Sequence, residues 1–486
     1  MPPMTDLIDL ISTVLLSVVT VVASLLASAH AILGKRDVRS AIGWVGLILL
    51  VPLIGAALYG LFGINRIRRR ATELRPQRSR APHQHRDPHE NARLLDPVLP
   101  EDGHHLVAIA NLVSAITPLP VTIGNAITPL DTGEAAYADM LAAIAGAKQT
   151  IGMASYIFDN DAGGHMFASA LAEAVRRGIE VRVLIDGAGA HYSFPTGTSR
   201  LRRLGVPVTE FLPTFMPLHV AYSNLRNHRK LLIVDGCIGF TGGMNVRGGY
   251  LRAATRREAV RDIHFRLEGP VVAHLTRTFT EDWAFCTGEV LAGPKWFPDL
   301  LRCGHAAARG IATGPDEDEE QLKWTMLGAL ACAKTRVRIV SPYFLPDNML
   351  MTSLALAAMR GVEVEILFPE QSNLRLVQWA SWAQLGWLIG SGCTVLLTPP
   401  PFDHAKAMTV DGLWSMIGSA NWDERSLRLN FEFNVECYGV GVTSALDALI
   451  DQRSAGARRL TREEVDGRSL FHKLRDGTAW LASPYL

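Results

Sequence analysis

The chain has 486 residues, with 48 lysine and arginine against 47 aspartate and glutamate, long enough for two or three domains and too long for a small stapled scaffold. Residues 1–80 carry ten basic residues against four acids and the remainder 38 against 43, which describes a basic membrane-proximal segment on a mildly acidic body and argues against a body that coats nucleic-acid phosphates. Six scattered cysteines without a C-x-x-C pair indicate neither a zinc ribbon nor a disulfide framework and read as reduced core thiols of a cytosolic body.

Residues 10–33 and 40–65 hold no formal charge. At about 1.5 Å per residue each run exceeds the ~30 Å hydrocarbon thickness, so two transmembrane helices are expected over about 10–33 and 41–64. The short GKRDVRS between them predicts a helical hairpin, an anchor spanning 1–65, with a kink at Pro52. Ala27-Ser28-Ala29 mimics a signal-peptide cleavage site, but Asp6 and Asp9 stand where such a peptide is basic, and a second apolar run follows at once. The seven arginines of RIRRRATELRPQRSR after the second run place the body and the N-terminus in the cytoplasm by the positive-inside bias, and they suit anionic headgroups. Residues 66–105, rich in Arg, Pro, His and Gln, read as a basic linker whose histidines, His104 and His105 included, lack the spacing of metal ligands.

From residue 106 helical patterns alternate with β-branched runs, the mark of an α/β layer structure with a mostly parallel sheet. The stretch AKQTIGMASYIF (147–158) recurs as AKTRVRIVSPYF (333–344), and RGIEVRVLID (177–186) as RGVEVEILFP (360–369). NHRKLLIVDGCIGFTGGMN (227–245) and DHAKAMTVDGLWSMIGSAN (403–421) match with key positions displaced by 176 residues. Two copies of one module are therefore expected, 106–303 and 304–486, joined near the acidic loop 304–320.

Each copy carries H-x-K-x4-D and then G-[GS]-x-N: His228, Lys230, Asp235, Gly242 and Asn245, then His404, Lys406, Asp411, Gly418 and Asn421. In a strand, residues two apart face one side, so each His–Lys pair points into one site, and the glycine turn brings an asparagine amide near. Ammonium and amide suit a phosphate's developing charge, while imidazole can attack phosphorus or move a proton. Two histidines across a pseudo-twofold divide a phosphodiester exchange into two steps, one attacking and one protonating the departing alkoxide. Asp235 and Asp411 count with the catalytic set as motif members, yet each begins a D-G turn, where holding the loop is the expected work. Tyr156 and Tyr343 are equivalent in the repeat, and both a place at the pocket mouth and core packing remain open for them.

The repeat resembles the phospholipase D superfamily with its paired HKD motifs, and the whole chain resembles its bacterial cardiolipin synthases, through the paired spans, NLRNHRKLLIVDG, RDIHFRLEGPVV, SPYFLPD, GSANWDERSLRLNFE and the terminal SPYL. The resemblance implies two pseudo-symmetric αβα modules sharing one active site behind a multi-pass anchor in the bacterial inner membrane. It implies that Glu432 orients His228 and Asp262 orients His404, each carboxylate fixing a tautomer from the opposite half. It further implies a phosphatidyltransferase that moves a phosphatidyl group from one phosphatidylglycerol to another through a phosphohistidine, giving cardiolipin and glycerol. Membrane phospholipids are then the partners, and no metal, cofactor or nucleic acid is called for. Lipid hydrolysis, nuclease activity and a non-catalytic membrane scaffold are the competing readings.

Overall fold

The computed structural model describes residues 4–35, 38–63, 88–213, 225–255, 258–314 and 320–483, and these fall into two compact units, the N-terminal helices and the body from residue 88 onward. In the first unit, α1 (Met4–Gly34) is a single helix of 31 residues, roughly 46 Å long. Its segment Ile11–Gly34 is, among the described residues, the one helix long and apolar enough to cross a membrane. The second apolar run is not one helix but two short ones, α2 (Val38–Leu50) and α3 (Pro52–Leu58), followed by a π-turn over Tyr59–Gly63. The run expected as one helix over 41–64 is interrupted there, and the cause is Pro52, which lacks an N–H and whose ring crowds the carbonyl four residues back. His30 Nδ1 lies 2.7 Å from the Tyr59 hydroxyl, and Trp44 meets the Tyr59 ring edge-on. These contacts close an interior of Ala31, Ile48 and Tyr59, while Val14, Leu15, Val18 and Leu25 face outward.

The body is built on one continuous sheet in which the sequence repeat becomes a structural one. The first copy supplies β1 (Thr122–Leu130), β2 (Thr150–Ser155), β3 (Glu180–Asp186), β4 (Val208–Phe211), β5 (Leu231–Val234), β6 (Ile238–Gly242) and β7 (His264–Glu268). The second supplies β8 (Ala306–Thr313), β9 (Arg336–Val340), β10 (Glu363–Pro369), β11 (Thr394–Thr398), β12 (Ala407–Val410), β13 (Trp414–Gly418) and β14 (Asn430–Tyr438). The order β4-β3-β2-β5-β6-β7-β1 runs straight into its mirror, β8-β14-β13-β12-β9-β10-β11, through an antiparallel β1–β8 ladder. The pseudo-twofold passes between these two strands.

The sheet is mixed where a mostly parallel one was expected. Parallel ladders join β2 to β3, β3 to β4, β9 to β10 and β10 to β11, whereas the inner strands are antiparallel. The reason is the D-G turn, which folds β5 onto β6 and β12 onto β13 as hairpins and leaves no room for a crossover helix. Both faces of the sheet are covered, so the strands are apolar throughout. Leu231 and Ile233 enter the core under helices Val272–Thr287 and Val440–Ala455, and Leu232 and Val234 the opposite core under Gly133–Gly146 and Ala162–Arg176. This is the αβα layering that the repeat predicts.

The expected linker and module boundary shift. Residues 66–87 lie outside the described residues, but Pro88–Leu95 is a helix, and Leu95, Leu99 and Leu106 are buried. With helix Val107–Ile116 they pack into the core of the second copy, beside Met326 and Ala329. The apolar positions Leu95, Leu99 and Leu106 carried that signal, masked by the polar residues between them.

Asp235 and Asp411 start their turns with φ of 52° and 53°, followed by Gly236 and Gly412 at 63° and 67°, the left-handed pair that such a hairpin requires. The Asp235 carboxylate accepts from the backbone N–H of Lys148, Gln149 and Thr150. That of Asp411 accepts from Lys334, Thr335 and Arg336, the Thr335 hydroxyl and His105 Nε2. Asp411→Ala strands several of these donors and is expected to cost about 2–4 kcal/mol. The guanidinium chloride midpoint of the detergent-solubilised protein should fall accordingly, and an unchanged midpoint would refute the anchoring role.

Candidate active site

The two halves are stitched together at the motif histidines by their own backbones. Arg226 and Asn227 pair with Asn430 and Phe431, and His228 N–H donates to the Phe431 carbonyl at 2.9 Å. In the other copy Arg261 bridges to Asp403, and His404 N–H donates to the Arg261 carbonyl at 2.7 Å. The residue after each accepting carbonyl is Glu432 or Asp262, so each histidine is delivered beside a carboxylate of the opposite half.

His228 Nδ1 stands 2.9 and 3.1 Å from the two carboxylate oxygens of Glu432, and His404 Nδ1 2.9 Å from Asp262 Oδ2. A carboxylate only accepts, so the hydrogen is assigned to Nδ1 and Nε2 is left as the reactive nitrogen. Lys230 and Lys406 are buried at the same mouth and donate to the carbonyls of His228 and His404 at 2.7 and 2.6 Å. The Asn245 side-chain oxygen accepts from Ile157 N–H at 3.1 Å, which turns its NH2 end free, and Asn421 Oδ1 is buried with no partner. Tyr156 meets the His228 ring edge-on at 5.1 Å and Tyr343 the His404 ring at 6.2 Å. Both tyrosines are partly exposed, which places them at the mouth and not in the core. Six of the ten expected residues, the two histidines, the two lysines and the two carboxylates, thus lie within electrostatic reach of one another, while the Asn421 side chain bonds Asp423. Asp235 and Asp411 stand apart: five residues of extended chain, roughly 17 Å, separate them from Lys230 and Lys406, and the turn contacts above occupy them.

The two carboxylates are not equivalent. Glu432 accepts from His228, from the Ser419 hydroxyl at 2.5 Å and from Asn430 Nδ2 at 3.1 Å. These donors hold its carboxyl below the usual range despite complete burial. Asp262 sits against Gly243, where Ser419 has its counterpart. A Cβ there would stand 2.1 Å from Asp262 Oδ1, so only glycine fits, and no hydroxyl can be supplied. With only Ile263 N–H and His404 as donors, burial pushes Asp262 up to about 7. Burial also lowers His228 to about 4, Lys230 to about 7 and Lys406 to about 8, and holds His404 well below its usual value. Near neutral pH the imidazoles are therefore uncharged, and the lysines titrate close enough to neutrality for a bound anion to hold their protons.

Residues 140–283 and 326–453 match the family described as "Cardiolipin synthase, PLD-like domain", more than half of the chain, and residues 22–63 match "Phospholipase D-nuclease N-terminal". The chain belongs to the cardiolipin synthase, PLD-like domain family. It is 30% identical over 98% of its length to the major cardiolipin synthase ClsA of Bacillus subtilis, all of which is covered. It is 31% identical over 98% of its length to a cardiolipin synthase of Oceanobacillus iheyensis, again covered completely. Among solved structures, a phosphatidylserine synthase of Haemophilus influenzae shares the fold, with a TM-score of 0.63 at 15% identity, covering 79% of this chain and 100% of that one.

Within this cardiolipin synthase-family site, sequence reasoning missed Arg229, Asp282, Ser419 and Asn430. Arg229 is buried on Asp282 and also donates to the carbonyls of Glu432 and Thr313, bolting one motif to the other half. The signal for Ser419 lay in the variable slot of G-[GS]-x-N; Asp282 and Asn430 had none, because their partners are distant in sequence.

Tungstate remains a dianion across neutral pH and mimics phosphate. Its affinity is expected to fall roughly tenfold between pH 6.5 and 8.5 as Lys230 and Lys406 lose their protons. A calorimetric profile flat across that range would contradict the lysine assignment.

Proposed function

We propose that this protein is a cardiolipin synthase, a phosphatidyltransferase that joins two phosphatidylglycerols into cardiolipin and releases glycerol. The observation that carries this reading is the reciprocal pair His228–Glu432 and His404–Asp262, two nucleophile-and-proton units at one mouth in a chain of this family. His228 Nε2 attacks the phosphorus of the first lipid, forming the N–P bond as the bond to the glycerol oxygen breaks. The proton for that oxygen comes from the His404–Asp262 pair, which retains one near neutrality because Asp262 is raised. A hydroxyl of the second phosphatidylglycerol then gives its proton to His404 and displaces His228 from phosphorus. Lys230, Lys406, Asn245 and Asn421 stabilise the equatorial oxygens. The attacking role falls to His228 because its ionised Glu432 stabilises the cation carried by phosphohistidine.

The N-terminal unit supports membrane attachment. We place α1 across the inner membrane with α2 and α3 as a broken return, so that the body faces the cytoplasm, as the arginines after residue 65 direct.

Purified protein given phosphatidylglycerol vesicles should produce cardiolipin and glycerol in equal amounts by mass spectrometry, and His228→Ala none. Glu432→Gln should lower kcat by a factor on the order of 10²–10⁴, the scale seen when an orienting carboxylate is neutralised. Phosphatidic acid as the sole product would move the protein to the hydrolases, and full activity in Glu432→Gln would remove the orienting role.

A further inference from the structure

The loops after β3 and β10 occupy equivalent places in the repeat, and both carry exposed apolar side chains to the mouth of the site. In the first, Gly189 packs so closely on the Tyr156 carbonyl that a Cβ there would stand 1.6 Å away, and this contact seats the short helix Gly189–Tyr192 on the active-site tyrosine. Tyr192 then meets the Tyr156 ring edge-on at 6.2 Å and reaches electrostatically across to Tyr343 of the other half. Two residues on, Phe194 is 99% exposed and Tyr192 59%. In the second loop, the Tyr343 hydroxyl donates to Asn373 at 2.8 Å, and Leu374 and Leu376 beside it are 47% and 54% exposed. Apolar side chains thus project from both sides of one opening. Arg375 is exposed between the two leucines with no ion pair among the described residues, while the nearby acid Glu370 is taken by Arg458.

We propose that Tyr192, Phe194, Leu374 and Leu376 form an apolar rim that dips into an anionic phospholipid bilayer, setting the mouth against the headgroups so that a lipid phosphodiester reaches the histidines while its acyl chains stay in the membrane. Phenylalanine and leucine beside a free arginine are the side chains that settle at such an interface. The inference rests on the lipid-substrate reading above and adds where and how the substrate enters.

The test uses the full chain reconstituted in vesicles of equal phosphatidylcholine and phosphatidylglycerol, with or without bromine on the acyl chains. Emission added by Phe194→Trp should be quenched by the brominated lipid at least about twofold more than that added by Val290→Trp, an exposed position beside Arg182 near the far end of β3. In the double variant Phe194→Glu with Leu376→Glu, the ratio of turnover on vesicles to turnover on a short-chain, water-soluble phosphatidylglycerol should fall about tenfold. Equal quenching at 194 and 290, or an unchanged ratio, would overturn the rim. Quenching needs no turnover, so selective quenching in a protein that forms no cardiolipin would keep the rim and reject the lipid-transfer reading.

Discussion

Everything at the site depends on one exchange between halves: each motif histidine hangs by its own N–H on a strand of the other copy, and the next residue of that strand is the carboxylate that orients it. The exchange ties the two copies together, because His228 takes its carboxylate partner Glu432, and His404 its partner Asp262, from the other copy. The antiparallel β1–β8 seam and the buried Arg229 across to Glu432 and Thr313 are what keep the two sets in register. A buried arginine on this many acceptors is costly to strip of any one partner, so the seam tolerates little slippage.

On that symmetric frame the two carboxylates have different donors, and the proposed division of chemical roles rests on that difference. Ser419 gives Glu432 a hydroxyl, and Gly243 at the matching place gives Asp262 only room. One carboxylate is thereby held ionised and the other raised toward neutrality. A carboxylate held ionised favours a histidine that carries positive charge through an intermediate, and one raised toward neutrality favours a histidine that delivers a proton. The pseudo-twofold alone makes the two histidines interchangeable, and the Ser419 hydroxyl makes their carboxylate partners unlike.

Much of this was legible in the sequence, and the failures have physical causes. The HKD spacing kept Lys230 on the carbonyl of His228 and Lys406 on that of His404, because residues two apart are held together locally just before each strand. Asp235 and Asp411 carried the same motif signal but belong to the hairpin, as their left-handed φ requires. Sheet direction was misread since alternating helices and strands suggest parallel ladders, whereas the short D-G hairpins impose antiparallel ones. The second apolar run was expected to bend at Pro52 and instead breaks there into two helices. Contacts such as Asn430 to Glu432 or Arg229 to Asp282 lay beyond any pattern, because they are set by how the two copies meet.

The central claim is that the phosphatidyl group rests on His228 while His404 handles protons. Rapid acid-free quenching of the protein during turnover of phosphatidylglycerol, followed by peptide mass spectrometry, tests it most directly. The account predicts a phosphatidyl adduct on the peptide containing His228 that decays as cardiolipin forms. An adduct on His404 instead, or cardiolipin formed with no protein adduct at any time, would contradict it.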